Sequence, residues 1–166
     1  MNPEPESHPD SVNFRLSEYL CERREDVIDE WMESVRSDPG IRTGKLDAVA
    51  LKNHLPHLFD DLTQTLRRFG SESVAEQTVK DAESHGATRS QQGFGLAEML
   101  REIMLLRAIL IFHLNVFVEM NQDLGLAARL LSSTTLHRFL DEMAIDATEN
   151  FLKEGGGGST PLPFRL

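Results

Sequence analysis

The run 103–118, IMLLRAILIFHLNVFV, limits most tightly what this chain can become. Its apolar residues go all the way round a helix, so lipid or other helices must cover it on several sides. A spanning helix needs about 20 predominantly apolar residues. Here Arg107, His113 and Asn115 interrupt the run, and a central arginine costs about 2.5–3.5 kcal/mol on insertion scales. The sequence is therefore read as a long helix enclosed by protein, without membrane insertion.

The rest of the chain supplies helices to enclose it. Leu16, Leu20, Val27, Trp31 and Val35 form an apolar stripe at helical spacing, starting near Asn13 or Ser17 and stopped by Asp38-Pro39-Gly40. A short helix is expected around 47–52. Asn53 can cap the next helix, whose buried face is Leu55, Leu58, Phe59, Leu62, Leu66 and Phe69, with Gly70 at its end. A third helix, capped by Ser71 or Ser73, runs to about Gln92. The Gly93-Phe94-Gly95 break then leads into the long helix, Leu96 to about Asn121. Asp123 can cap a last helix, Leu124 to Lys153, with Leu136, Leu140, Met143, Ala147 and Phe151 at helical spacing. No strand-like alternation and no internal repeat is present. The expected fold is all-α: a single bundle of five to six helices around a long central apolar helix. Its organisation is a flexible arm at 1–12, a helical domain at 13–153 and a Gly-rich tail at 154–166. That tail reads as a linker to a further module or as an added segment.

Charge narrows the partners. The 166 residues carry 27 acids and 17 bases, a net charge of −10. Eleven of the acids but only four of the bases lie in residues 1–40. A nucleic-acid binder needs the opposite sign, because phosphate contacts use Lys and Arg. The acidic first helix reads as a solvated face. Cys21 is the single cysteine, so no intrachain disulfide forms. The first residues, MNPEPESHPD, lack the basic and apolar regions of a signal peptide. A cytoplasmic location is expected.

Catalytic motifs are missing: there is no GxSxG, Walker loop, HExxH or GxGxxG. His54, His57 and Asp61 could share a helical face as metal ligands, but such spacing is common by chance, and a surface pair is preferred. His137, followed by Arg138, lacks the surroundings of a phospho-acceptor histidine. No catalytic residue, metal site or cofactor is assigned.

The informative stretch is 85–107, HGATRSQQGFGLAEMLREIMLLR. On the third helix the inward stripe Val74, Thr78, Ala82 continues to His85 and Arg89, so two polar residues occupy positions where burial is expected. A buried polar group without a partner costs about 1–3 kcal/mol. Gly86 removes bulk beside His85 and lets another backbone approach. The short Gly93-Phe94-Gly95 turn folds the long helix back on its predecessor, which brings Glu102 near His85 and Arg89. Arg107, flanked by Leu105, Leu106, Ala108 and Ile109, needs a partner from another helix or a ligand. His85, Arg89, Glu102 and Arg107 are thus expected in one polar cluster. Two readings stay open: a structural ion network, or a pocket for a small polar or anionic ligand.

The run His85-Gly86-x-x-Arg89-x-x-x-Gly93-Phe94, then Leu96-x-Glu98-x-Leu100-x-Glu102 and Leu105-Leu106-Arg107, resembles the RsbRD N-terminal domain family. Trp31 resembles that family's early tryptophan, and His54-Leu55-Pro56-x-Leu58-x-Asp60 a further motif. The resemblance spans about residues 14–153. It implies a non-catalytic sensory input domain of a bacterial signalling protein, of the stressosome or sensor histidine kinase type. Related stressosome sensors have a globin-like fold without haem. It implies a homodimer that passes a signal to a kinase or anti-sigma-antagonist output module, with the first or last helix as candidate interface. Nothing in the chain matches an output module. The alternative is a haem- or metal-binding globin-like sensor with His113 or His85 as axial ligand.

Overall fold

A computed structural model describes residues 11–42, 55–67 and 85–155, and these are helices and short connections without a strand. In chain order the helices are α1 (Val12–Glu22), α2 (Arg24–Ser37), α3 (Leu55–Arg67), α4 (85–91), α5 (Leu96–Met120) and α6 (Leu126–Gly155). The fold is an all-α bundle. The expected helix at 47–52, the Asn53 cap, Phe69, Gly70 and the stripe Val74, Thr78, Ala82 lie outside the described residues.

The first stripe is buried throughout, from Leu16 to Val35, but it belongs to two helices rather than the single one expected. The side chain of Ser11 caps α1 by accepting the Phe14 N–H. The chain then breaks at Arg23, whose N–H bonds to Leu20 O and whose carbonyl accepts the Val27 N–H. No Gly or Pro marks this break. Packing decides it: α1 lies on α3, α5 and α6, whereas α2 lies along α5 and α3. The Arg23 guanidinium sits 4.1 Å over the Tyr19 ring at the corner.

α2 stops at Asp38, as expected, and the Asp38 carboxylate accepts the Gly40 N–H at 2.7 Å. α3 buries Leu55, Leu58, Phe59, Leu62 and Leu66. α6 buries Leu136, Leu140, Met143 and Ala147, while Phe151 is half-buried. Asp123 does not cap α6. The helix begins three residues later, and the carboxylate pairs with Arg15 of α1 at 3.0 Å.

α5 is as long as expected, but it is enclosed on one side rather than on most. Met99, Ile103, Leu106, Leu110, Leu114 and Phe117 face α1, α2 and α6. Met104, Phe112 and Met120 on the other side are about two-thirds exposed. By length and composition α5 could cross a membrane, a test that core helices also pass.

The turn between α4 and α5 is set by glycine. Gly93 has φ +77°, a conformation that costs glycine nothing. The Phe94 N–H bonds to Arg89 O and the Gly93 N–H to Ser90 O, the paired bonds of a Schellman helix end. A second glycine acts through space. A Cβ on Gly86 would collide with the carbonyl oxygen of Ala147 and lie 2.8 Å from its carbonyl carbon. α4 therefore touches α6 backbone to backbone.

Gly86→Ala tests that approach. Helix propensity alone favours alanine by about 1 kcal/mol, but overpacking against a rigid backbone costs about 1–3 kcal/mol. The melting temperature is expected to fall by several degrees. An unchanged or raised melting temperature would contradict the contact.

Candidate functional site: a buried charge node between α4 and α5

Two helices, α2 and α4, meet α5 at Glu102, and the turn before α5 holds Arg89 in place. From α2, the Trp31 Nε1–H donates to the Glu102 backbone carbonyl at 3.0 Å, which ties α5 to α2 at this residue. From α4, Arg89 Nε donates to Glu102 Oε2 at 2.7 Å, and His85 Nε2 lies 3.5 Å from the same oxygen. Both Arg89 and Glu102 are only 1% exposed. From the turn, Gln92 Oε1 accepts Arg89 Nη1 at 2.7 Å, and the Phe94 ring lies 5.1 Å from the Arg89 guanidinium carbon. Glu102 Oε1 is buried without a hydrogen-bond partner among the described residues.

The local reason is the turn. The Schellman bond from Phe94 N to Arg89 O holds the aromatic ring next to the arginine whose side chain it covers. The close return of the chain then presents the second turn of α5, with Glu102, to the last turns of α4. A buried guanidinium needs such a carboxylate, since an uncompensated buried charge costs several kcal/mol.

The structure thus brings together His85, Arg89 and Glu102. It does not bring Arg107 to them. Arg107 lies five residues beyond Glu102, on another side of α5, and reaches across to α6, where it pairs with Asp141 and lies 3.3 Å from His137 Nδ1. The physical reason is helical register, because positions five apart do not share a face. His137 itself is exposed.

Other polar groups stand apart from the node. His113 is buried, with Nδ1 3.4 Å from Tyr19 Oη and Nε2 3.3 Å from Glu30. Both ring nitrogens of the residue considered as an axial ligand are therefore engaged by side chains. Burial pushes the Tyr19 hydroxyl pKa up. His57 is exposed while Asp61 is buried, and His54 lies outside the described residues. Among the described residues no three His, Cys, Asp or Glu side chains could jointly hold a metal ion. Cys21 is exposed, 3.5 Å from Arg67 Nη2. Two open surface depressions, of about 510 and 310 Å3, are lined by neither His85, Arg89 nor Glu102.

Glu98 is a site residue for which the sequence offered no partner. Its carboxylate accepts the Gly95 N–H at 2.7 Å at the start of α5, the Arg42 N–H at 2.9 Å, and two guanidinium bonds from Arg42 at 2.8 Å. It fastens the segment after α2 to the first turn of α5. A charge-rich neighbour at a distance of 56 residues leaves no trace in spacing or periodicity. The Arg42 guanidinium, together with the Gly95 amide, pulls the Glu98 carboxyl down to about 2 from an ordinary value of 4.5.

That depression has a pH signature. The folded state holds its proton less tightly than the unfolded one, so the contribution is complete above about pH 4.5 and is lost as the pH falls toward 2. Because Arg42 is largely exposed, solvent screens the pair and its contribution is much smaller than the full value of the shift. Chemical denaturation of Glu98→Gln at pH 7 and pH 3 is expected to show a smaller acid-induced loss than the parent chain. Equal losses in both proteins would contradict the assignment.

The chain finds no match among curated proteins and none among solved structures. A family model described as the RsbT co-antagonist protein rsbRD N-terminal domain matches residues 25–155, from α2 through the charge node to the end of α6. The chain belongs to the RsbRD N-terminal domain family.

Proposed function

We propose that this chain is the cytoplasmic input domain of a bacterial signalling protein, of stressosome or histidine kinase type, and that it regulates rather than catalyses. Family membership supports the class. The observation that carries the mechanism is the buried Arg89–Glu102 pair, because it couples the helices that a sensor must move. Trp31 ties Glu102 to α2, and Gly86, three residues before Arg89, presses on Ala147 of α6. A change at the node shifts α4, and through that tight contact it shifts α6. In a homodimer the two copies of α6 would deliver the change to a kinase or anti-sigma-antagonist output module.

A buried ion pair is suited to this work. It contributes little net stability compared with an apolar pair of the same size, but losing one partner strands a charge. In this proposal the node switches between a paired and an unpaired arrangement. A small polar or anionic ligand that competes for Arg89 would select the second state.

The test is made in the host bacterium. Glu102→Gln and Arg89→Lys are placed in the chromosomal gene, and a stress-response reporter is followed with protein abundance monitored. The set point or amplitude of induction is expected to change at least several-fold at unchanged abundance. Normal induction in both variants would contradict the proposal. The globin-like alternative predicts a Soret band in purified protein, which the proposed function does not.

A further inference from the structure

The open side of α5 is built like half of a helix–helix seam. Arg101, Met104, Ala108, Phe112, Asn115 and Glu119 are exposed and recur every three or four residues, opposite the buried line of the same helix. That recurrence is the spacing by which a second helix packs along a first. The face continues onto α6. Arg107 binds Asp141 and His137 there, so the strip of α6 containing those residues lies alongside α5. On that strip Leu130 and Ile145 are both 58% exposed. An open depression of about 510 Å3 beside Leu100 and Met104 roughens one end of the face.

The charges on this face are arranged head to tail. Arg101, which lies 3.8 Å from Asp38 of its own chain and keeps 54% of its side chain exposed, is the cation near the N-terminal end of α5, Glu119 is the anion near its C-terminal end, and Met104, Ala108 and Phe112 lie between. We propose that this face binds a second copy of the same chain, with the two α5 helices antiparallel and crossing near Ala108. In that register the two Ala108 residues meet at the two-fold axis, where their small size allows close approach. Met104 of each copy packs against Phe112 of the other. Arg101 of each copy lies over Asn115 and within a helical turn of Glu119 of the other. A parallel arrangement would set Arg101 against Arg101 and Glu119 against Glu119, which like-charge repulsion opposes. An anionic lipid surface is a poorer occupant, because a chain of net charge −10 is repelled by it. From Arg101 to Glu119 the face is about 27 Å long and roughly 20 Å across two helices, an area of about 540 Å2 per copy. That is about two-thirds of the ~800 Å2 per partner of a standard specific interface, the size of a weak dimer.

This assignment deepens the proposed function, which invokes a dimer, by giving the dimer a surface. The two fail separately, since assembly is read by sedimentation and signalling by the reporter. Sedimentation equilibrium of the full chain is expected to give dimer mass at micromolar concentration. Met104→Glu is expected to give monomer mass with an unchanged helical circular dichroism spectrum and melt, because that side chain is 66% exposed. Arg101→Glu and Glu119→Arg are each expected to weaken the dimer about tenfold. Mixing the two variants restores it, because each then meets its opposite. In a parallel dimer Arg101→Glu alone would leave affinity unchanged, which overturns the antiparallel pairing. A parent chain monomeric at 100-fold higher concentration overturns the interface, as does a dimer that survives Met104→Glu. Cosedimentation of a monomeric parent chain with phosphatidylcholine–phosphatidylserine vesicles, lost in Met104→Glu, would assign the face to a lipid surface instead.

Discussion

The Arg89–Glu102 ion pair is the constraint around which the rest of this fold is arranged. Both side chains are essentially excluded from water, and they are only 13 residues apart in sequence. A pair so placed exists only if the chain reverses sharply between them. The reversal needs a residue with positive φ, which Gly93 provides, and it leaves Phe94 beside the guanidinium. The desolvation cost of the two charges is offset by their contact and by the hydrogen bond from Arg89 to Gln92. Removing either charge would leave the other buried and uncompensated.

The node also fixes how the surrounding helices meet. The backbone of Glu102 is held by Trp31, and the first turn of α5 is held by Arg42 through Glu98. α5 is thereby attached to the α2 side by two separate polar contacts before any apolar packing is counted. On its other flank Arg107 binds α6. α4, bound to α5 by charge, is bound to α6 by shape, since Gly86 leaves no room for a side chain over Ala147. Apolar burial supplies the bulk of the driving force for such a bundle, while these directional contacts choose the register. What they leave uncovered is one long side of α5, and the self-complementary order of charges there suits a second copy.

The all-helical fold was readable because its helices carry regular stripes. The stripe Leu16 to Val35, the Asp38 stop, the Gly93 turn and the extent of α5 all follow from local chemistry. His85, Arg89 and Glu102 were readable together because two polar residues fell on an inward stripe and the turn after them was short. Arg107 was misplaced for an instructive reason. Its burial among leucines signalled a need for a partner, but register sends it away from Glu102, and nothing local says that α6 lies on that side. The break at Arg23 was invisible, since it follows from α1 and α2 packing on different neighbours and not from any helix-breaking residue. The same holds for Arg42 and Glu98, and for Tyr19, His113 and Glu30. These partners are far apart in sequence, and only the finished fold introduces them. The open face of α5 was hidden by its own composition, because an apolar helix looks the same whether the chain or a second copy covers it.

The central claim is that Arg89 and Glu102 act as one energetic unit. A double-mutant cycle measures this directly, using chemical denaturation of the parent chain, Arg89→Met, Glu102→Leu and the double variant. Each single change should cost about 3–5 kcal/mol, since it strands a buried charge. The double variant, with an apolar pair of similar volume, should cost much less than the sum, giving a coupling of about 2 kcal/mol or more. Single effects that add to within about 0.5 kcal/mol would show two independent residues and contradict the account.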